Sequence, residues 1–124
     1  MCLYRAGMLT RTFADEFAAA WIAAWNAHDL DAVLAHYSPD FQMSSPLIAS
    51  IAQEASGTLR GAVAVRAYWT KALQMLPNLR FELVNTLLGA DSITLYYRGH
   101  RGMAAEVFLF DSQGRVRKAM AHYA

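Results

Sequence analysis

Residues 93–123, ITLYYRGHRGMAAEVFLFDSQGRVRKAMAHY, carry the clearest local signal in the chain. Apolar side chains recur at every second position, the period of a β-strand. GHRG at 99–102 and DSQG at 111–114 interrupt the runs as tight antiparallel connections. With Gly89-Ala90-Asp91 as a further joint, the pattern predicts strands at about 79–89, 91–99, 102–111 and 114–123. If His100-Arg101 and Ser112-Gln113 are two-residue turns, registers follow. Leu95 faces Glu106, and Glu106 faces Ala119. Tyr97 faces Ala104, Ile93 faces Phe108, and Phe108 faces Arg117.

This register sorts the side chains by pleat. One face carries Ile93, Leu95, Tyr97, Ala104, Glu106, Phe108, Phe110, Arg117, Ala119, Ala121 and Tyr123. The other carries Tyr96, Met103, Ala105, Val107, Val116, Met120 and His122. A solvated antiparallel sheet shows one polar face, whereas here both are largely apolar. Helices are expected on one face and another subunit on the other, with a homodimer as the simplest supplier of that cover.

Upstream the period is helical. Thr12 with Asp15 reads as an N-terminal cap. Phe13, Phe17, Trp21 and Trp25 then recur every four residues as one apolar helix face ending near Ala27. Asp29 caps a second helix with Leu30, Val33, Leu34 and Tyr37 as its buried stripe, ended by Ser38-Pro39. His28 and His36 fall off that stripe and are expected in solvent. A short strand at Phe41-Gln42-Met43 leads into a loop from Leu47 to Arg60, long enough to serve as a lid. Gly61 opens a third helix, whose apolar face is Val65, Tyr68, Trp69, Ala72, Leu73 and Leu76, and Pro77 stops it.

Bulk properties narrow the function. A chain of 124 residues is one domain with room for a core, here 1–124 with residues 1–11 as a looser lead-in. Net charge is +1, which gives no footprint for nucleic acid or an anionic membrane. Cys2 is the only cysteine, so no internal disulfide or cysteine metal cluster is expected. The four His are scattered, and no pair has metal-ligand spacing beside a carboxylate. No metal and no cofactor are expected. MCLYRAG is too short and polar for a signal peptide, and no apolar run approaches ~20 residues. A cytoplasmic protein is the expectation.

Helix, helix, short strand, helix and long antiparallel sheet, introduced by WNAHDLDAVLAHYSPDF at 25–41, resemble the nuclear transport factor 2-like superfamily. The SnoaL-like and ketosteroid isomerase-like branch is the most similar. The pattern Asn26-x-x-Asp29-Leu30-Asp31, the aromatic Tyr37, Gly57…Gly61 and the closing Gly114-Arg115-Val116 carry the resemblance over about residues 12–123. It implies an α+β, cone-shaped barrel, with three N-terminal helices on the concave face of a curved, mainly antiparallel sheet. It also implies a deep apolar pocket on that face and dimers through the convex one.

The resemblance further marks catalytic positions. Ketosteroid isomerases carry a carboxylate base where this chain has Ser45, before Pro46. A tyrosine donor on the first helix corresponds to Trp21, another network tyrosine to Trp69, and the neutral acid of the oxyanion site to Glu106. The base and the main phenol donor are therefore missing, which argues against steroid isomerase chemistry.

Glu106 is the sharpest feature, one acid among Ala and Phe. A carboxyl dried in an apolar pocket titrates high and can serve as acid, base or neutral donor. The structural alternative is an ion pair with Arg117. Trp21, Tyr37, Met43, Ser45, Trp69, Tyr97, Phe108, Ala119 and Tyr123 are the candidate pocket lining. Each of the aromatic residues also reads as plain core. Two functions stay open: an isomerase- or cyclase-type enzyme acting on a small apolar carbonyl or cyclic compound through Glu106, or a non-catalytic ligand-binding or dimeric accessory protein.

Overall fold

The computed structural model describes residues 4–5 and 8–124, with only the backbone described at Tyr4, Arg5 and Met8. Two short strands, β1 (Tyr4–Arg5) and β2 (Met8–Leu9), pair with each other. Leu9 is buried and its N–H reaches the Ala90 carbonyl at 3.2 Å, which ties the lead-in to the main sheet.

Helix α1 (Arg11–Asn26) starts two residues before the position read from sequence. Thr10, not Thr12, is its cap, and its hydroxyl accepts from the Phe13 N–H at 3.1 Å. Phe17, Trp21 and Trp25 are buried as the four-residue spacing predicts. The helix ends at Asn26, and His28, just past its cap Ala27, adopts φ 55°. The His28 N–H bonds the Trp25 carbonyl and the Asp29 N–H that of Ala24, the paired bonds of a Schellman ending with His in place of the usual glycine. Asp29 then caps α2 (Leu30–Leu34) by accepting from the Ala32 N–H at 3.1 Å.

The second helix stops earlier than its apolar stripe suggested. Tyr37 opens strand β3 (Tyr37–Ser44) opposite Val116. The pairing shifts between Tyr37 and Gln42, and Pro39, which has no N–H to give a ladder, sits in that irregular stretch. The segment read as a loop holds a short helix, α3 (Ile48–Ile51), which buries both isoleucines, and strand β4 (Thr58–Arg60). Helix α4 (Ala62–Met75) follows, with Val65, Tyr68 and Trp69 buried.

Strands β5 (Glu82–Leu88), β6 (Ser92–Arg98), β7 (Met103–Phe110) and β8 (Val116–Tyr123) complete a six-stranded sheet in the order β4-β3-β8-β7-β6-β5. Only β3 and β8 run parallel. The result is α+β, with helices packed on a curved, mainly antiparallel sheet that stays open, its edges at β4 and β5.

The β6–β7 register is the predicted one: Leu95 faces Glu106, Tyr97 faces Ala104 and Ile93 faces Phe108. The Gly99 N–H bonds the Gly102 carbonyl at 2.7 Å, closing the two-residue turn. The β7–β8 register differs by two residues. Glu106 faces Ala121 rather than Ala119, and Phe108 faces Ala119 rather than Arg117. One residue comes from the turn: the Asp111 N–H bonds the Arg115 carbonyl, and Gly114, at φ 79°, makes it a three-residue loop. The second comes from a bulge at Arg117, because Phe110 pairs with Val116 but Leu109 with Lys118. Val116 therefore enters the core and Arg117 is exposed, the reverse of the sequence reading. Beyond the bulge Ala119, Ala121 and Tyr123 keep their expected face, since a shift of two preserves the pleat.

Candidate functional site

Three cross-strand rows build the concave face. Tyr97, Ala104 and Tyr123 form one, Leu95, Glu106 and Ala121 the next, and Ile93, Phe108 and Ala119 the third, which Met43 of β3 extends. Phe108 and Ala119 are fully buried, and Met43, Trp69 and Tyr97 nearly so.

Helix α1 covers this face. Trp21 packs edge-on to Phe108 and Tyr97, with ring centroids 5.3 and 5.5 Å away, and stacks on Phe81 at 5.7 Å. Phe81, just before β5, also lies 4.8 Å from the Tyr97 ring. Its backbone is clamped by Asn26, whose side-chain amide donates to the Phe81 carbonyl at 3.0 Å and accepts from the Phe81 N–H at 2.7 Å. His28 reaches the Leu79 carbonyl through Nε2 at 2.8 Å, and His36 packs edge-on to Phe17. Neither is simply in solvent. The helical corner at residues 25–29 thus fixes the strand lead-in that carries Phe81.

Glu106 is 4% exposed and is the only charged side chain among the buried described residues. Its Oε1 accepts from the Tyr97 hydroxyl at 3.3 Å. Among the described residues no ion pair includes it, and Oε2 has no hydrogen-bond partner. The ion pair with Arg117 does not form, because the bulge turns that residue out. Burial pushes the Glu106 carboxyl up to about 8, with the Tyr97 hydrogen bond pulling the other way. Near neutral pH the group is mostly a neutral acid. With Tyr97 donating to Oε1, the acid proton belongs on Oε2, free to donate.

One phenol, Tyr97, touches the acid, and three more feel its charge. Burial raises Tyr37, Tyr68, Tyr97 and Tyr123, and the Glu106 charge raises each further, which places all four hydroxyls within its electrostatic reach. The Tyr37 hydroxyl accepts from Trp21 Nε1 at 3.0 Å, and its ring packs on Phe41 and Trp69. Ser45 Oγ accepts from the Leu47 N–H at 3.1 Å and the Tyr68 hydroxyl at 3.4 Å, and lies 3.4 Å from the Tyr123 hydroxyl. No histidine or carboxylate bonds Ser45 among the described residues, so it is a hydroxyl relay and not an activated base.

The fold brings Trp21, Tyr37, Tyr97, Phe108 and Glu106 into one cluster, with Ser45 and Tyr123 at its side. Met43, Trp69 and Ala119 are buried beside it, with no polar contact to the acid among the described residues. Sequence reading missed Tyr68 and Phe81 as members. Tyr68 was visible as a buried helix-face residue whose hydroxyl needs a partner. Phe81 left no signal, because its position depends on a clamp from a residue 55 positions away. Among the described residues no group of side chains is arranged to hold a metal ion, and no helix is long and apolar enough to cross a membrane.

The SnoaL-like domain family matches residues 18–123. The chain belongs to that family. A SnoaL-like protein of unknown function from Burkholderia thailandensis is 56% identical, with 93% of this chain and 97% of that one covered and a TM-score of 0.89. Two more distant structures share the fold. TerC, co-crystallised with polyporic acid, is 14% identical over 90% of this chain and 92% of that one, with a TM-score of 0.73. A polyketide cyclase candidate from Sinorhizobium meliloti is 16% identical over 86% and 94%, with a TM-score of 0.67. No curated protein matches the chain.

Proposed function

We propose that this SnoaL-like domain binds a small, mostly apolar carbonyl or cyclic compound, and that Glu106 exchanges a proton with it in isomerase- or cyclase-type chemistry. The observation that carries the reading is the state of Glu106, a buried, unpaired acid with a free Oε2 and a single phenol, Tyr97, against Oε1. A purely structural acid at this depth is expected to hold a cation or several hydrogen bonds. This one has a single, long bond at 3.3 Å. As a neutral acid it donates to a carbonyl oxygen, and as a carboxylate it accepts a proton from the adjacent carbon. Tyr97 orients it for both. The distant fold relatives, one crystallised with an organic compound and one a cyclase candidate, are in keeping with small-molecule chemistry.

One observation favours binding without turnover. Glu106 is the only acid among the buried described residues, and Ser45 stands at the position where a base would be expected. A single experiment separates the two readings. Exchange of the α-protons of 2-tetralone in D2O, followed by proton NMR, reports acid–base action on a cyclic ketone directly. The native protein is expected to speed exchange over buffer, and Glu106→Gln to lose most of that gain, about 100-fold for one general acid–base group. Saturable binding of the ketone with no exchange above buffer points to the ligand-binding reading. Neither binding nor exchange contradicts both.

A further inference from the structure

We propose that residues 9–11 and Asn85 form a strap that closes the outer edge of β5, and that this edge, once released, pairs antiparallel with β5 of a second copy of the chain.

The open sheet creates the need for a strap. Its edges are β4 and β5, and an edge strand turns the N–H and C=O of alternate residues outward, where another strand can take them. On β5 the Gly89 N–H bonds the Ser92 carbonyl, so residue 89 faces β6. By alternation Leu87 also faces β6, and Thr86 and Leu88 present their backbone groups outward. β5 is the longer edge, with 7 residues against 3 in β4. Leu83, Val84 and Leu87 on it are 36%, 51% and 51% exposed. The run from Leu83 to Leu88 carries no charge, so it lacks the lysine that commonly blocks an edge. A twofold axis through Thr86 would let two copies exchange both bonds at that rung, with no like charges opposite.

Side chains occupy that rung instead. Asn85 Oδ1 accepts from the Thr86 N–H at 2.9 Å. Arg11 Nη1 donates to the Thr86 carbonyl at 2.9 Å and to Asp15 Oδ1, one turn along α1, at 3.4 Å. Further along, the Leu9 N–H takes the Ala90 carbonyl at 3.2 Å. Leu9 and Arg11 thus lay the start of α1 along the edge. At the other end the pairing with β6 shifts between Leu83 and Asn85, an irregularity that turns an edge away from further pairing. The β4 edge is closed in the same manner, since Ser56 Oγ accepts from the Thr58 N–H and donates to the Thr58 carbonyl, both at 3.3 Å.

The test releases the strap. Purified Arg11→Ala/Asn85→Ala is compared with the native protein by sedimentation velocity over one concentration series, with circular dichroism as the check on folding. The variant is expected to reach about twice the native particle mass as concentration rises, as an isologous contact requires. Adding Thr86→Pro should return it to the native mass, because proline removes the outward N–H and spares the ladder to β6. A double variant that keeps the native mass throughout overturns the proposal. So does extra mass that persists with Thr86→Pro, since the contact then lies elsewhere. Should the double variant not fold, Arg11→Ala alone, whose side chain is 54% exposed in the native chain, carries the same comparison with the same two outcomes.

Discussion

Glu106 and Arg117 show how one residue's surroundings fix its role. On the sequence register they are diagonal neighbours, and a buried ion pair would account for both. The bulge removes Arg117 from the face, so Glu106 has a phenol in place of a cation. Glu106→Gln is therefore expected to fold with a stability loss within about 1 kcal/mol at pH 5, since the amide oxygen still accepts from Tyr97. Breaking a buried ion pair would instead cost roughly 3–5 kcal/mol. Chemical denaturation at pH 5 distinguishes them. The raised carboxyl also sets a pH dependence. Between the ordinary 4.5 and about 8, the unfolded chain has released this proton and the folded chain retains it. The unfolded state then binds fewer protons, so the Glu106 contribution to stability falls as pH rises through that window. Relative to the native protein, Glu106→Gln should gain stability from pH 5 to pH 8, by on the order of a few kcal/mol. Parallel denaturation curves at the two pH values check the sign.

At the level of elements, the decisive local event is the path from Asp111 to Lys118. Val116→Ala should destabilise by roughly 2 kcal/mol, because Val116 is fully buried opposite Phe110. Arg117→Ala should stay within about 0.5 kcal/mol. A two-residue turn would reverse that order, and urea melts of the two variants read it. Asn26→Ala should cost about 1–3 kcal/mol by orphaning the Phe81 backbone groups, and should disturb the Trp21–Phe81 stack in near-UV circular dichroism. Much of this architecture was legible in the chain. Period-two alternation located β6 to β8, GHRG set the β6–β7 register, and the helical corner at residues 25–29 was readable from Trp25 and Asp29. Glu106 was legible as a buried acid because its parity depended only on the well-marked turn. The β7–β8 register was not, since DSQG closes equally well as a two- or three-residue turn, and a bulge next to Val116-Arg117 has no compositional mark. Tyr37 was read as helix because its spacing from Val33 fits both states. The four-residue α3 is too short to show a period.

Across the whole molecule, one face of the sheet is dry and the other is not. The helices bury the concave rows except at their end, where Tyr123 is 46% exposed. On the convex face Tyr96 and Leu87 remain 41% and 51% exposed, and Met103, Ala105, Val107 and Met120 are half-buried. A homodimer through this face is the expected assembly, because so apolar a surface is unusual on a monomer. Sedimentation velocity at micromolar concentration should show twice the chain mass, and Tyr96→Arg should shift it toward the monomer. A native monomer under those conditions would leave the convex face unexplained. The concave side is tested more directly, since its packing has one chemical consequence, a carboxyl kept neutral near pH 7. Carbon-13 NMR of the Glu106 side-chain carboxyl, assigned by comparison with Glu106→Gln and followed from pH 4 to pH 10, reads that consequence at the atom concerned. A single titration centred at about 8 is the predicted result. A midpoint below about 5, the range of an ordinary solvated glutamate, would contradict it.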